Sequence, residues 1–171
     1  MKETEEMKNV LAGWFISELE AETESTRKCL ERIPMKFSGW KPHDTSMAMG
    51  DLATIVSDIP TWITIIIEPG FVDFADYQHF RPGTTEELVS HFDEAMRKAV
   101  KSLQNSTEGT LSGNFSMKNK GEVLATSTKK EAIGQTINHL VHHRGQLTVY
   151  MRMNDIKVPS IYGPSGDDKK Y

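Results

Sequence analysis

Apolar residues recur at steps of three and four positions in four long segments of this chain, and this helical period constrains its fold more than any other feature. The first segment spans about residues 4–33 and stops before Pro34. The second spans about residues 46–67, contains Pro60, where we expect a kink, and stops before Pro69. Both stops are typical of helix ends, because proline lacks the amide proton that a further turn would use.

The third and fourth segments each begin with a capping box, in which a threonine and a glutamate three positions later satisfy free amides at the start of a helix. Thr84 and Glu87 open the third segment, and Thr128 and Glu131 open the fourth, which continues to about residue 154. Because these signatures lie directly before apolar periodic runs, they predict two further helices.

Residues 105–127, between the third and fourth helices, are rich in glycine, serine and asparagine and include the alternating stretch GEVLATS. This composition predicts a small hairpin or a structured loop. Four amphipathic helices in one short chain predict an all-α fold, a helix bundle, that occupies residues 1–171 as a single domain. The connections are longer than a minimal up-and-down bundle needs, which favours at least one crossover.

The charge and cysteine content argue against several classes of protein. The formal net charge is −4, so the basic face of a typical nucleic-acid-binding protein is not expected. The N-terminus is charged and the longest apolar run, residues 62–67, is far shorter than a membrane span, so we expect a cytoplasmic protein without a membrane segment. Cys29 is the single cysteine and has no nearby histidine in the sequence to activate it, which favours a structural thiol over a nucleophile.

The fourth helix carries the motif INHLVHHRGQ. At about 100° per residue, His143, Gln146 and Tyr150 all fall within about 40° of His139 around the helix axis. This polar stripe opposes an apolar one, so we expect the helix to pack one face against the core and to turn the other towards a polar cavity. His142 is offset from the stripe and is expected to be exposed or to pack between helices.

Two imidazoles one helical turn apart, as in His139 and His143, are able to ligate one Zn²⁺, Ni²⁺ or Fe²⁺ ion. A catalytic zinc site needs a third protein ligand, which would have to come from another helix. The alternative interpretation of the pair is a polar hydrogen-bonded cluster or a contact in a dimer. Gly145, inside the same helix, predicts the close approach of another helix or a ligand, because glycine is otherwise unfavourable there.

The stretch INHLVHHRGQLTVYMRMNDIKVPSIYGPSGDD, together with WKPHDTSMAMGDLATIVSDIPTWI and TTEELVSHFDEA upstream, resembles the DinB family. The resemblance covers nearly the whole chain. It implies a four-helix bundle of up-down-down-up order, a homodimer and a three-histidine metal site on the bundle axis. Two of the implied ligands match His139 and His143, and the third falls on the second helix at Ile55.

Ile55 departs from the pattern of the family, because an alkyl side chain offers no bond to a metal and excludes water from it. Asp51 and Asp58 lie within about 60° of Ile55 around the second helix, and either carboxylate would give a two-histidine, one-carboxylate site suited to Zn²⁺ or Fe²⁺. The alternative is that both are ordinary acidic residues on a helix surface. We expect Ile55, Asp58, Gln146 and Tyr150 to line the pocket around the two histidines.

The remaining histidines are interpreted as peripheral. His43, in the loop KPHD, is a remote candidate ligand for which a structural role is favoured. His79 on a loop and His91 on the third helix are expected to be surface residues.

Two functions remain open from the sequence. The first is a DinB-like protein that is metal-free or binds a divalent metal weakly, and that binds a small molecule or acts in a stress response as a homodimer. The second, which the resemblance to the DinB family implies, is a metal-dependent enzyme, such as a thiol-dependent transferase or hydrolase, that uses His139 and His143 with a substitute ligand. The missing third histidine favours the first, and the acidic charge argues against a role in binding nucleic acid.

Overall fold

Four long helices make up most of the computed structural model, which describes residues 9–169. The elements, in chain order, are α1 Val10–Glu31, α2 Met49–Ile67, β1 Phe71–Asp73, α3 Thr85–Gln104, α4 Glu108–Ser112, β2 Asn114–Asn119, β3 Glu122–Thr128 and α5 Lys129–Met153. A short 3₁₀ turn follows α1. The predicted first turn of the first helix, residues 4–8, lies outside the described residues, and α1 begins after Asn9, whose side chain accepts a hydrogen bond from the amide of Ala12.

Local signals in the sequence correctly mark where α3 and α5 begin. Both capping boxes are present, with Thr84 and Thr128 each accepting from the backbone amide of the glutamate three residues later. In each case that glutamate accepts from the backbone amide of the threonine in return. The second helix begins at Met49, a few residues later than predicted, and it continues as one helix past the buried Pro60.

The structure is mostly helical, as predicted, but the fold is not purely all-α, because three short strands form a sheet in the order β1-β2-β3. Strands β2 and β3 form the antiparallel hairpin that the sequence predicted, and β1 pairs with β2 in parallel. Lys120 and Gly121 form the hairpin turn with positive φ angles of 51° and 82°. The carboxylate of Asp73, at the end of β1, accepts from the amides of both turn residues and so fastens the tip of the hairpin to β1.

Helices α2 and α1 each pack against α3 and α5, and they make few contacts with one another. The core between these helices is built from aliphatic and aromatic side chains, among them Leu19, Leu52, Ile63, Phe92 and Leu147. The hairpin covers one side of this core through Phe115, which is buried. This arrangement places α2, the hairpin and α5 around a common space.

Helix α2 is long and strongly apolar. It has the length and composition of a membrane span, with a mean hydropathy of 1.3 over its most apolar stretch. Half of that stretch is buried inside the protein, and its buried residues belong to the core described above. These properties are also those of the central helix of a globular core.

Candidate ligand site at the histidine face of α5

The structure brings His139 and His143 together on α5, with their ring centroids 4.5 Å apart. His139 is exposed at the helix surface, and His143 is half-buried. His142 is exposed, and its ring lies 5.0 Å from that of His143. We refer to His139, His143, Gln146 and Tyr150 as the histidine face.

Gln146 orients the imidazole of His143. Its Oε1 lies 2.7 Å from Nδ1 of His143, so the Nδ1 proton is donated to the amide oxygen. Nε2 of His143 then carries the free lone pair and is the nitrogen that remains able to accept a proton or bind a metal. A hydrogen bond to the second nitrogen is typical of histidines that ligate metals.

Tyr150 ends the histidine face and ties it to the loop before α2. Its ring packs edge-on against Trp40, with centroids 5.4 Å apart, and its hydroxyl donates to the carbonyl of Met47 at 3.2 Å. The side chain therefore holds the loop against α5.

The pKa of His139 is lowered from its ordinary value. Partial burial is the main cause, since it disfavours the charged imidazolium, and the neighbouring His143 and His142 add to the effect. His139 is consequently a neutral imidazole at neutral pH, able both to donate and to accept a hydrogen bond.

A cleft of about 580 Å³ opens between α2, the hairpin and α5, and His139 lies in its wall. The residues that line this cleft are Trp62, Ile66, Phe115, Met117, Ala125, Thr126, Ser127, Ala132, Gln135, Thr136 and His139. Of the residues that the sequence assigned to the site, His139 lines the cleft, whereas His143, Ile55, Asp58, Gln146 and Tyr150 lie outside its lining.

Helix α2 does not supply a third ligand for the two histidines. Ile55 is half-buried and packs against the core, and Asp51 is exposed in the first turn of the helix. Within residues 9–169, no three histidine, cysteine, aspartate or glutamate side chains are grouped so that they could hold a metal ion. The hypothesis that Asp51 or Asp58 completes a three-ligand set with His139 and His143 is therefore wrong for this structure.

Asp58 is unavailable because its carboxylate is engaged by His91 and Tyr77. One of its oxygens lies 2.7 Å from Nε2 of His91 on α3, and the other lies 2.7 Å from the hydroxyl of Tyr77. Burial alone would raise the pKa of Asp58, but the hydrogen bonds from His91 and Tyr77 outweigh it, so the pKa is lowered. The pKa of Tyr77 is raised by its burial and by the same carboxylate.

The interpretation of His91 as a surface residue is wrong. Its ring is half-buried and stacks on Phe80, with centroids 3.8 Å apart and planes 7° from parallel. His79 is exposed as predicted and touches Tyr77 edge-on. His43 is also exposed, and it bonds to Thr45 within its own loop rather than reaching α5.

Arg144, in the same motif as the histidines, is buried with only 1% of its surface exposed. It forms an ion pair with Glu22 on α1 and donates to the hydroxyls of Ser25, Thr26 and Tyr162. No local pattern indicates this role, because the partners of Arg144 lie more than a hundred positions away or in the tail. No other helix of the described chain closely approaches Gly145, since a Cβ built there would meet nothing within 4 Å. The prediction of a close helix is therefore wrong, and that of a ligand stays a prediction.

Comparisons with known proteins support the resemblance found in the sequence. The model of the DinB family matches residues 7–170. A DinB-like protein of Bacillus subtilis, YjoA, is 20% identical in a solved structure that superposes with a TM-score of 0.69 over 91% of this chain and 99% of that one. A DinB-like protein of Bacillus cereus ATCC 10987 is 24% identical, with a TM-score of 0.66 over 86% of this chain and 95% of that one.

One curated relative matches over a short stretch. The uncharacterized protein YrdA of Bacillus subtilis strain 168 is 53% identical over 32 residues, which is 19% of this chain and 19% of that protein. The match to the family model spans nearly the entire sequence, and the fold agrees with those of the two solved DinB-like proteins. This chain belongs to the DinB family.

Proposed function

We propose that this DinB-family protein binds a small molecule in the cleft beside the histidine face, and that it does so without a tightly held metal. The observation that carries the proposal is the cleft of about 580 Å³, with the neutral His139 in its wall. Pockets of this size, mostly apolar with a few polar groups, are the usual sites for small ligands.

The chemistry of the donor set supports weak metal binding. Two imidazoles, His139 and His143, are close together on α5, but the position that would complete a three-histidine set is the alkyl side chain of Ile55. Metal sites with three protein ligands depend on all three for tight binding, so a pair with water in the remaining positions holds an ion weakly. The residues therefore do not fit the three-histidine site that the family implies.

A metal-dependent enzyme, such as a thiol-dependent transferase or hydrolase, is the second candidate. The hydrogen bond between His143 and Gln146 favours it, because it leaves Nε2 of His143 free and fixes its direction. This candidate requires a ligand from outside residues 9–169 or from the substrate, since Asp58 is held by His91 and Tyr77.

We also propose that the four long helices follow an up-down-down-up order and that the protein is a cytoplasmic homodimer. The packing of both α1 and α2 against α3 and α5 supports a crossover between the first two helices. The similarity to DinB-like proteins supports the same arrangement.

The two candidate functions differ in metal content. The protein, purified without a histidine tag, is dialysed and its Zn, Ni and Fe are measured by mass spectrometry, with and without prior addition of each metal. We expect much less than one metal per chain after dialysis. One retained metal per chain that is lost in the His139→Ala variant would overturn the metal-free proposal in favour of the enzyme.

A further inference from the structure

The lining of the cleft contains no Lys, Arg, Asp or Glu side chain. Its polar side-chain groups are the hydroxyls of three Ser and Thr residues, the amide of Gln135, the imidazole of His139 and the indole N–H of Trp62. A charged ligand would therefore lose its hydration on entering and would find no opposite charge to replace it.

Much of the cleft wall is apolar, and its apolar side chains are packed against neighbouring residues. Ile66 and Phe115 are buried in the core, and Trp62 forms another part of the wall. Phe74 and Tyr77 pack against Trp62, with centroids 6.1 Å and 5.4 Å away. Side chains fixed in this way offer a preformed apolar surface, which reduces the entropy lost when a ligand binds.

The polar groups of the cleft are not equally available. The hydroxyl of Thr136 donates to the carbonyl of Ala132, and that of Thr126 pairs with Ser116 across the hairpin. No hydrogen bond among residues 9–169 engages the side chains of Gln135 or His139, which lie one helical turn apart on α5. These two groups, together with the hydroxyl of Ser127 on β3, are the ones that remain to meet a ligand.

We propose that the cleft takes an uncharged, mainly apolar molecule that presents a hydrogen-bonding group to Gln135 and His139. This inference rests on the proposed function, and it adds the chemical class of the ligand. A volume of about 580 Å³ suits a molecule of one or two fused rings with substituents.

Two fluorescent probes that differ by one charged group test the class. N-phenyl-1-naphthylamine is neutral and apolar, and 8-anilino-1-naphthalenesulfonate is the same skeleton with a sulfonate. We expect the neutral probe to bind saturably, with one site per chain, and the sulfonated probe to bind at least about tenfold more weakly to that site, because its charge would be buried unpaired.

Variants of two neighbouring residues on β3 locate the binding. Ala125 is exposed and lines the cleft, so Ala125→Trp fills it; Leu124 is 58% exposed and lies outside the lining, so Leu124→Trp is the matched control. We expect Ala125→Trp to weaken binding of the neutral probe by at least about tenfold and Leu124→Trp to change it by less than about twofold. Gln135→Trp, on the exposed part of the α5 wall, replaces Ala125→Trp if that variant does not fold.

The outcomes separate the two proposals. Equal or tighter binding of the sulfonated probe at the site sensitive to Ala125→Trp would overturn the uncharged class and leave small-molecule binding in place. No saturable binding of the neutral probe, or binding unaffected by the filling variants, would overturn the cleft as the site. The metal measurement tests the proposed function independently of either probe.

Discussion

The carboxylate of Asp58 on α2 lies 2.7 Å from Nε2 of His91 on α3, and its second oxygen lies 2.7 Å from the hydroxyl of Tyr77. The ring of Phe80 stacks on the ring of His91. The side chain of Asp58 is only 16% exposed, so its charge is stabilised by these two partners rather than by water. The segment after β1 is thereby tied to both α2 and α3.

Replacing Asp58 should destabilise the fold in a pH-dependent way. We expect Asp58→Asn to lower the free energy of unfolding by about 2 kcal/mol at neutral pH, because a half-buried charged acceptor with two hydrogen bonds is lost. The pKa of Asp58 is lowered in the folded state, so its contribution is complete above the ordinary carboxyl pKa of about 4 and is lost as the pH falls through the lowered value. Urea unfolding from about pH 7 to pH 3 should show the two proteins converging.

Asp93 provides the control for this measurement. It is an exposed acid paired with Arg27, and Asp93→Asn should change the free energy of unfolding by less than about 1 kcal/mol. A difference between wild type and Asp58→Asn that stays constant across the acid range would contradict the assigned role of the charge.

A histidine at position 55 should strengthen metal binding. We expect Ile55→His to raise the affinity for Zn²⁺ or Ni²⁺ by about tenfold or more, because a third imidazole would join His139 and His143. Isothermal titration of tag-free protein measures the change. Thr54→His places the same group one position earlier on α2, rotated by about 100°, and should leave the affinity near that of the wild type.

This pair of variants also tests the match between α2 and α5. If Ile55→His binds no better than Thr54→His, then position 55 does not correspond to the third ligand of the family. The gain should disappear in the double variant Ile55→His, His139→Ala, since two imidazoles would again be all that is present.

Local features could be predicted from the sequence, and contacts between distant segments could not. The capping boxes at Thr84 and Thr128 mark helix starts because the bonds they make span three residues. The hairpin turn at Gly121 is equally local. By contrast, β1 is three residues long and pairs with β2, which is more than forty positions away. No periodic pattern in the sequence predicts this strand.

The same distinction applies to the site. The helical spacing of His139 and His143 predicts their proximity, because one turn of helix sets it. The partners of Asp58 come from α3 and from the segment after β1, and helical spacing on α2 alone gives no information about them. The cleft is formed by three elements that meet only in the folded protein, so the pattern on α5 predicts His139 as a site residue but no sequence pattern predicts Trp62.

Cys29 should be unreactive in the folded protein. It is fully buried, and burial raises the pKa of its thiol to about 11 despite the opposing charges of Arg144 and Arg32. At about pH 8 roughly one thiol in a thousand would be ionised, and the reactive thiolate would also lack access to the reagent. We expect Ellman's reagent to modify one thiol per chain in denaturant and almost none under native conditions; rapid modification of the folded protein would show that Cys29 is accessible.

Removing the buried arginine should be the most damaging of these changes. Arg144 is 1% exposed, Glu22 is 7% exposed, and their ion pair joins α5 to α1. We expect Arg144→Met to lower the free energy of unfolding by about 3–5 kcal/mol, because Glu22 would remain as a buried, uncompensated charge. Glu22→Gln in the same chain should recover part of this loss, since the amide carries no charge to desolvate, and chemical denaturation of the two variants measures the recovery.

Arg97, which pairs with Glu94 at the surface, is the control, and Arg97→Met should lower the free energy of unfolding by less than about 1 kcal/mol. Equal effects of Arg144→Met and Arg97→Met would contradict the conclusion that Arg144 holds the two helices together.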